Sequence, residues 1–404
     1  MSGRISQYRY VLANTLTSVV AFGRNLLFIA TLGLADLGQV ALMQTIVMLV
    51  GFIQLGTING AFLLFAEEEP EQTRRIAAVL NMVLLLFSLL VALFALLGRG
   101  TALLPVVDPQ TLIIGVFAGL ATLASTWMNN LLIAKKALAQ SNIINIAAVA
   151  VSLAAAVLSM RWGLTAALIS IMVQPLTAAI GVLMVEPDAR LFGIRPDLAT
   201  LRSIARKGAT PFLSMISVLM TYQIERWSIG LLLGADKLGQ FYLVMMFTTF
   251  FQLVPAALLN VHIPSAVQAV GSDRLRHVLR LHRYEILAYC GLVLLAVLII
   301  APMAVRILAP KFESSTPLLL LACPALMITA LRDNATLALY AERRMRPLLI
   351  SGVILLASYS VLLGTAAQTG QFSLEAVVLL RGAAAAMSAV YLFWAYRIKV
   401  LKGA

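Results

Sequence analysis

The sequence predicts an all-α polytopic membrane protein whose twelve transmembrane helices form two pseudo-symmetric six-helix bundles. Three observations support this fold class: apolar runs recur along the whole chain, basic residues alternate between the connections, and one short stretch occurs twice. The chain is 61% hydrophobic and 12% charged, whereas soluble domains have about 45–50% and 25%. This composition excludes an ordinary soluble fold.

The apolar runs are long enough to cross a hydrocarbon core of about 30 Å at 1.5 Å per helical residue. The connections between them are short, so we expect no inserted soluble domain. In chain order, the predicted membrane helices are 10–33, 39–65, 76–97, 110–134, 139–160, 164–185, 209–233, 240–266, 285–308, 315–340, 347–367 and 374–396.

The basic residues indicate the orientation of these helices. When lysines and arginines are assigned to alternating connections, one side holds twenty-one and the other only five. Because basic residues concentrate in cytoplasmic loops, both termini are predicted to be cytoplasmic. The net charge of +13 therefore indicates membrane loops, and we expect no nucleic-acid partner.

The repeated stretch divides the chain into halves. Residues 24–39 align without a gap on residues 225–240, so that Gly33 matches Gly234, Gln39 matches Gln240 and Arg24 matches Glu225. Between the halves, residues 187–208 predict an amphipathic helix lying on the cytoplasmic leaflet. We therefore expect an N-terminal bundle over 1–186, a linker over 187–208 and a C-terminal bundle over 209–404.

Catalytic motifs do not occur in the sequence. It has no phosphate-binding loop, no HExxH, no paired-cysteine motif and no nucleophile elbow. We therefore expect neither an enzyme nor a metal or cofactor site. His277 and His282 fall in a basic connection and are interpreted as solvated or headgroup-facing, and His262 is interpreted as a packed or interfacial residue.

Charged residues inside the predicted helices are the candidate functional residues. Each such charge costs about 2.5–3.5 kcal/mol on membrane insertion scales, so these residues seldom face lipid. The arginines predict a cationic cavity between the halves for an anionic substrate, and the two carboxylates are candidates for ion coupling or gating. These residues are Arg24, Arg226, Arg332 and Arg381, with Glu225 and Asp333.

A structural interpretation of the same charges stays open. Arg24 with Glu225, and Arg332 with Asp333, would then be ion pairs, and Arg381 would extend towards the membrane surface. Polar residues that are candidates for lining the cavity are Asn25, Gln44, Asn130 and Gln252. Hydrogen bonds between helices would explain most of them equally well.

Four motifs carry a family resemblance: LGLADLGQVAL, QLGTINGAF, RKGATPFLSMI and LLLGADKLGQFYL. With the helix count, they resemble the polysaccharide transporter (oligosaccharide flippase) family of the multidrug/oligosaccharidyl-lipid/polysaccharide exporter (MOP) superfamily. The resemblance implies a MATE-like fold of two bundles in a V that alternates between inward-open and outward-open states. Flippases for lipid-linked peptidoglycan precursors are similar but commonly carry two further helices.

The implied function is transport across the bacterial inner membrane. The substrate would be an undecaprenyl-pyrophosphate-linked oligosaccharide for O-antigen, capsule or exopolysaccharide, and Arg24 would meet its pyrophosphate or an acidic sugar. We expect a monomer in contact with membrane lipids, working beside a polysaccharide polymerase and glycosyltransferases. Proton or sodium coupling is left open.

Two alternatives remain. A multidrug or cation antiporter of the same superfamily should carry deep carboxylates and few arginines. A membrane polymerase or ligase acting on lipid-linked sugars should carry a large outer loop. The excess of deep arginines disfavours the first alternative, and the short outer connections disfavour the second.

Overall fold

The computed structural model describes residues 2–65, 70–97, 106–190 and 197–402, and within these ranges the chain is all-helical with no strand. The α-helices are α1 (Ser2–Thr31), α2 (Leu34–Phe52), α3 (Thr57–Phe65), α4 (Pro70–Leu97), α5 (Pro109–Ala134), α6 (Leu138–Val157), α7 (Ser159–Val185), α8 (Leu198–Leu233), α9 (Ala235–Gln268), α10 (Asp273–Leu308), α11 (Thr316–Ala341), α12 (Met345–Gln368) and α13 (Leu374–Lys402). Short 3₁₀ helices follow α7 (Pro187–Arg190) and α10 (Pro310–Ser315).

The predicted fold class is confirmed. Ten helices in the described ranges are long and apolar enough to cross a membrane. The other two predicted spans lie in α1, whose apolar part is Leu16–Thr31, and in α8, which contains both apolar and charged turns. The chain is therefore a multi-pass membrane protein, and each predicted membrane segment lies on one helix except the second, which lies on two.

The second predicted segment is broken rather than continuous. Leu55 and Gly56 have positive φ angles of 47° and 85° between α2 and α3. The side chain of Gln54 accepts a hydrogen bond from the backbone N–H of Ile58 at 2.8 Å, and the hydroxyl of Thr57 donates to the Gln54 carbonyl at 2.7 Å. These bonds satisfy backbone groups that the break would otherwise leave unpaired within the membrane.

The break lets α3 lie against α8 at backbone contact. A Cβ atom on Gly60 would lie 1.9 Å from the carbonyl oxygen of Ile204, and one on Gly208 would lie 1.9 Å from that of Gly56. Gly56 and Gly60 are four residues apart, the spacing of the small-residue motif by which membrane helices approach closely. No side chain larger than hydrogen fits at Gly60 or Gly208 without moving one helix.

The linker differs from the predicted interfacial helix. Residues 191–196 lie outside the described ranges, and from Leu198 the chain forms α8, which continues without interruption through the seventh predicted membrane segment. Ile204 is fully buried, and Leu201 packs against the same apolar core. The apolar face of this segment therefore packs on protein rather than lying on the leaflet, because the glycine contact brings α8 against α3.

Charged groups fix the linker at two points, its start and the start of α8. The carboxylate of Asp197 accepts from the Ala199 N–H and the Thr200 hydroxyl at the start of α8 and pairs with Arg75 at 3.0 Å. The hydrogen bond from Thr200, with that from Ala199, lowers the pKa of Asp197.

After α7, the ammonium group of Lys135 lies 2.7 Å from Glu186 and also bonds to Asp188, which pairs with Arg74 at 3.1 Å. Burial lowers the pKa of Lys135, but hydrogen bonds to Asp188 and Glu186 outweigh burial and raise the pKa above its ordinary value. The start of the linker is thus anchored to α4 and α5.

The chain forms two compact units, Met1–Leu213 and Ser214–Ala404, which divide within α8. In the N-terminal unit a buried cluster surrounds Trp127, whose indole N–H donates to Asn81 at 2.7 Å and whose ring stacks on Phe65. In the C-terminal unit α11 packs between α9 and α13. Each unit therefore has its own apolar core.

Candidate functional site

Arg24 lies inside the N-terminal unit, on α1. It is 8% exposed, and its Nη1 donates to the hydroxyl of Ser152 on α6 and to the side-chain oxygen of Gln174 on α7, both at 2.8 Å. Ser152 in turn donates to the carbonyl of Ser170 at 2.7 Å. This chain of bonds gives the guanidinium a defined position.

The guanidinium borders a cavity of about 420 Å³ within the same unit. This volume lies in the range of about 300–1,000 Å³ typical of small-molecule sites. In the described part of the chain, the lining residues include one arginine and no acidic residue: Thr17, Arg24, Thr122, Ser125, Thr126, Asn129, Asn130, Asn145, Ala148, Ile171, Gln174, Pro175 and Ala178.

One face of α5 supplies the polar wall of the cavity. Thr122, Ser125, Thr126 and Asn129 follow the spacing i, i+3, i+4 and i+7, which places them on one side of a helix. The Asn129 side-chain oxygen accepts from Ser141 at 2.6 Å and from Asn145 at 3.4 Å, both on α6. Asn129 thus links α5 to α6, whereas the hydroxyls of Thr122 and Ser125 donate to backbone carbonyls of α5.

A proline on α7 completes the wall opposite α5. Pro175 follows Gln174 directly and, like it, lines the cavity. Because proline has no N–H, it cannot bond the carbonyl of Ile171, a further lining residue. A proline inside a membrane helix is tolerated where the freed carbonyl meets protein or water, which agrees with its position beside a cavity.

The C-terminal unit contains the counterpart of the Arg24 arrangement. Glu225, on α8, accepts from Arg381 on α13 and from the Tyr359 hydroxyl on α12, both at 3.1 Å. Arg381 also donates to Thr248 at 3.4 Å. In the alternative interpretation Glu225 paired with Arg24, but the structure gives Glu225 a partner in its own unit.

The two arrangements occupy equivalent places in the repeat. Arg24 and Glu225 are the paired positions of the repeated stretch. The two partners of Arg24, Ser152 and Gln174, are 22 positions apart in the sequence. The two partners of Glu225, Tyr359 and Arg381, are also 22 positions apart. In the N-terminal unit a cation meets two neutral acceptors, whereas in the C-terminal unit an anion meets a cation and a hydroxyl. The repeat is thus visible in side-chain contacts as well as in sequence.

The other predicted charges belong to the C-terminal unit. Arg332 donates to Ser388 at 3.1 Å and borders a small cavity of about 20 Å³ together with Arg381. The Arg381 guanidinium is buried in an ion pair and does not extend to the surface. In the described ranges Asp333 forms no ion pair with Arg332, so that alternative pairing is wrong, and Arg226 forms neither a hydrogen bond nor an ion pair.

The four polar residues that were candidates for lining the cavity also differ in position. Asn130 lines the N-terminal cavity, whereas Gln252 donates to the Tyr222 hydroxyl in the C-terminal unit. Asn25 and Gln44 are half-buried and lie outside the set of lining residues. The side-chain oxygen of Asn25 is buried with no hydrogen-bond partner in the described part of the chain.

Sequence reasoning overlooked the hydroxyl residues of the cavity wall. Thr122, Ser125 and Thr126 were not candidates, and neither was Ser152, which holds Arg24. The helical spacing of polar residues along α5, within a run that is otherwise apolar, is the signal that would have identified the wall.

His282 is the one histidine whose interpretation was wrong. It was expected to be solvated or to face headgroups, but its side chain is 0% exposed and lies between α9, α10 and α11. His277, one and a half turns earlier on α10, is exposed as expected. The first turns of α10 have an exposed basic face and a buried face, and His282 lies on the buried face.

Comparisons with known proteins identify the fold. No family model and no curated protein matches the sequence. Among solved structures, the chain resembles an inward-facing multidrug resistance MATE family transporter of the MOP superfamily, with 13% identity, a TM-score of 0.73 and coverage of 96% of this chain and 95% of that chain.

Two further structures give similar likenesses. The lipid II flippase MurJ in an inward closed conformation has 13% identity and a TM-score of 0.68 over 96% of this chain and 87% of that chain. MATE in the bent conformation has 12% identity and a TM-score of 0.66 over 98% and 95%. The chain therefore has the fold of MOP-superfamily transporters.

Proposed function

We propose that the protein is a flippase that moves an undecaprenyl-pyrophosphate-linked oligosaccharide from the cytoplasmic to the outer leaflet of the bacterial inner membrane. Alternating access would carry the headgroup across, without covalent chemistry. The substrate would serve assembly of a surface polysaccharide. The fold shared with membrane transporters, including a lipid II flippase, supports transport as the general activity.

The single observation behind the choice of substrate is the charge of the N-terminal cavity. Arg24 borders this cavity, and in the described ranges every other lining side chain is neutral. A guanidinium binds phosphate oxygens through charge-assisted hydrogen bonds, which are the strong ones in proteins. The Ser152 and Gln174 bonds orient Arg24 before the substrate arrives, which reduces the entropy lost on binding.

The remainder of the lining suits a glycan. Hydroxyl and amide groups from α5 and α6 both donate and accept hydrogen bonds, as sugar hydroxyls require. A polar cavity lowers the cost of dehydrating sugars and phosphates while the lipid tail stays in the bilayer. Outward movement of an anion from a negative-inside cell is also favoured by about 2.3 kcal/mol per charge per 100 mV.

The second candidate is a multidrug or cation antiporter, which the likeness to a MATE multidrug transporter favours. Such a carrier requires a carboxylate to meet its cation. In the described part of the chain, the N-terminal cavity has no acidic lining residue, and Glu225 is neutralised by Arg381. Asp333 is the deep carboxylate that this candidate would have to use.

Complementation of a polysaccharide-export mutant tests the proposal. The wild-type chain, Arg24→Ala and Arg24→Lys would be compared at matched membrane abundance, with Arg306→Ala as the control because Arg306 is exposed at the end of α10. We expect wild type and the control to restore surface polysaccharide, and both Arg24 variants to accumulate lipid-linked repeat units inside. Normal export by both Arg24 variants would exclude the site.

The same strains separate the two candidates. Under the antiporter reading, Asp333→Asn would abolish extrusion of a cationic dye, and the wild-type chain would not restore surface polysaccharide. Under the flippase reading, the wild-type chain restores polysaccharide and does not extrude the dye.

A further inference from the structure

Two of the three histidines meet inside the C-terminal unit. The rings of His262 on α9 and His282 on α10 lie edge to face, with centroids 5.4 Å apart. The Nε2 of His262 lies 2.6 Å from the carboxylate of Glu285, and the Nδ1 of His282 lies 3.3 Å from the side-chain oxygen of Asn334 on α11. The titratable groups His262, His282 and Glu285 thus form one cluster on α9 and α10, which we call the histidine cluster, and the Asn334 amide joins it to α11.

The cluster contains a buried ring nitrogen that no bond satisfies. The Nε2 of His282 is buried and has no hydrogen-bond partner among the described residues. If the Nδ1–H of His282 donates to Asn334, Nε2 of the neutral ring is a bare acceptor. Buried polar atoms are nearly always bonded, so this acceptor needs an explanation.

The charges around the cluster allow one proton to be taken up. Glu285 is its one carboxylate, and α11 contributes the neutral amide of Asn334. Two arginines lie near the cluster in the same helices. Arg283 is exposed and lies over the ring of Tyr284. Arg332, which is next to Asp333 in the sequence, donates to Ser388. When both rings are neutral and Glu285 is ionised, the cluster carries one negative charge, so one added proton makes it neutral.

One side of the cluster is buried, and the other side is partly exposed. Ala266, Leu279 and Ala338 belong to a buried apolar cluster one turn towards the basic end of α10, against which Tyr396 of α13 packs. Glu285 lies on the opposite side, and its side chain is 36% exposed. Glu285 is therefore the most exposed group of the cluster.

We propose that the histidine cluster is a proton-binding site that couples protonation to the transport cycle. One proton is held between Glu285 and the two rings, and its binding and release bias the helices α9, α10 and α11 that the cluster joins. Imidazole is the side chain suited to this task, because its charge changes within the physiological pH range. The coupling part of the proposal rests on the proposed transport function, but the proton site itself does not.

Histidine-selective nuclear magnetic resonance tests the proton site directly. Protein labelled with ¹⁵N in its three imidazoles, in lipid nanodiscs, would be titrated between about pH 5 and 8. The variants His262→Gln, His277→Gln and His282→Gln assign the signals, and exposed His277 is the internal control. We expect the His262 and His282 signals to change together with pH, and Glu285→Gln to alter that response without affecting His277.

Transport measurements then test the coupling. Export of lipid-linked repeat units by wild type, His277→Gln and His282→Gln would be followed across the same pH range at matched abundance, with His262→Gln as a second variant if His282→Gln does not fold. We expect His277→Gln to keep the wild-type pH profile and the cluster variants to lose it.

Two outcomes contradict the proposal, and a third concerns only the anion site. If His282 stays in one protonation state while His277 titrates, there is no proton site. If the rings titrate but the cluster variants keep the wild-type pH profile, the site is not coupled to transport. If substitution of Arg24 leaves export normal, the anion site fails instead, and the resonance measurement still decides the proton site.

Discussion

Two residues at equivalent positions of the repeat have diverged in chemistry. Arg24 is held by Ser152 and Gln174, both neutral, whereas Glu225 is held by Arg381 and Tyr359. The C-terminal arrangement is an ion pair with its charges balanced. The N-terminal arrangement brings a positive charge to the wall of a cavity, which explains why we assign the anion site to that unit.

Substitution of Gln174, one of the two acceptors of Arg24, tests whether transport requires the positive charge of the cavity. Gln174→Glu should place a carboxylate where Arg24 now meets an amide, because the Gln174 oxygen lies 2.8 Å from its Nη1. The resulting ion pair should neutralise the cavity while preserving the fold. We expect export of lipid-linked repeat units to be lost and the melting temperature in detergent to stay within a few degrees.

The matched control for this variant is Gln368→Glu, which adds the same charge at the exposed end of α12. It should export normally. Normal export by Gln174→Glu as well would show that the sign of the cavity charge is unimportant for transport.

The C-terminal ion pair should be structural. Removing one partner of a buried pair leaves an uncompensated charge and typically costs about 3–5 kcal/mol. We therefore expect Glu225→Gln and Arg381→Met each to lower the melting temperature strongly, and the double variant to lose less than the sum of the two. Thermal unfolding of the purified protein measures all three.

The surface pair Arg344 and Glu342, 3.6 Å apart, provides the comparison. Exposed pairs contribute about 0–1 kcal/mol, so Glu342→Gln should unfold near the wild-type temperature. If Glu225→Gln and Glu342→Gln lowered the melting temperature equally, a structural role for Glu225 would be contradicted.

At the scale of elements, α3 and α8 approach each other more closely than any other backbone segments at the glycines of the described ranges. Gly60→Ala would force Cβ against the Ile204 carbonyl, and backbone cannot yield as a side-chain tip can. We expect the melting temperature to fall by several degrees and the protein yield to drop. Overpacking a well-packed site typically costs about 1–3 kcal/mol.

Gly51→Ala is the control for that prediction. Gly51 is helical, lies in the same unit, and has nothing within 4 Å of its Cβ position. Alanine has a higher helix propensity than glycine, so this variant should be neutral or slightly stabilising. If Gly60→Ala unfolds at the same temperature as Gly51→Ala, the close approach does not contribute to stability.

The elements also show what could be predicted from sequence. Apolar runs located the membrane helices, because a span of lipid imposes a length that the sequence must meet. The break between α2 and α3 could not be located in this way, since it depends on contact between Gly56 and a distant glycine, Gly208. The burial of Ile204 escaped prediction for the same reason.

The candidate site was only partly predictable. Arg24 was identified because a charge inside an apolar helix is conspicuous. Its partners Ser152 and Gln174 lie 128 and 150 residues away, and a serine or glutamine in a membrane helix is unremarkable by itself. The burial of His282 could not be foreseen either, because its neighbours in sequence are basic and only the packing of α9 and α11 encloses it.

At the scale of the whole molecule, each unit has its own polar centre. The N-terminal unit contains the cationic cavity, and the C-terminal unit contains the ion pair of Glu225 with Arg381 and the histidine cluster. We infer that the duplicated bundles have specialised, one for binding the anion and the other for stability and proton binding. Duplication allows this, because one copy can change while the other retains the fold.

The most direct test of the central claim is the affinity of the purified protein, in lipid nanodiscs, for undecaprenyl pyrophosphate. Wild type, Arg24→Ala and Arg306→Ala would be compared at one salt concentration. A hydrogen bond to a charged group contributes about 1.5–3 kcal/mol, so we predict binding weaker by about 10- to 100-fold in Arg24→Ala and unchanged in Arg306→Ala. Equal affinity for all three proteins would show that Arg24 does not hold the anion and would contradict the account.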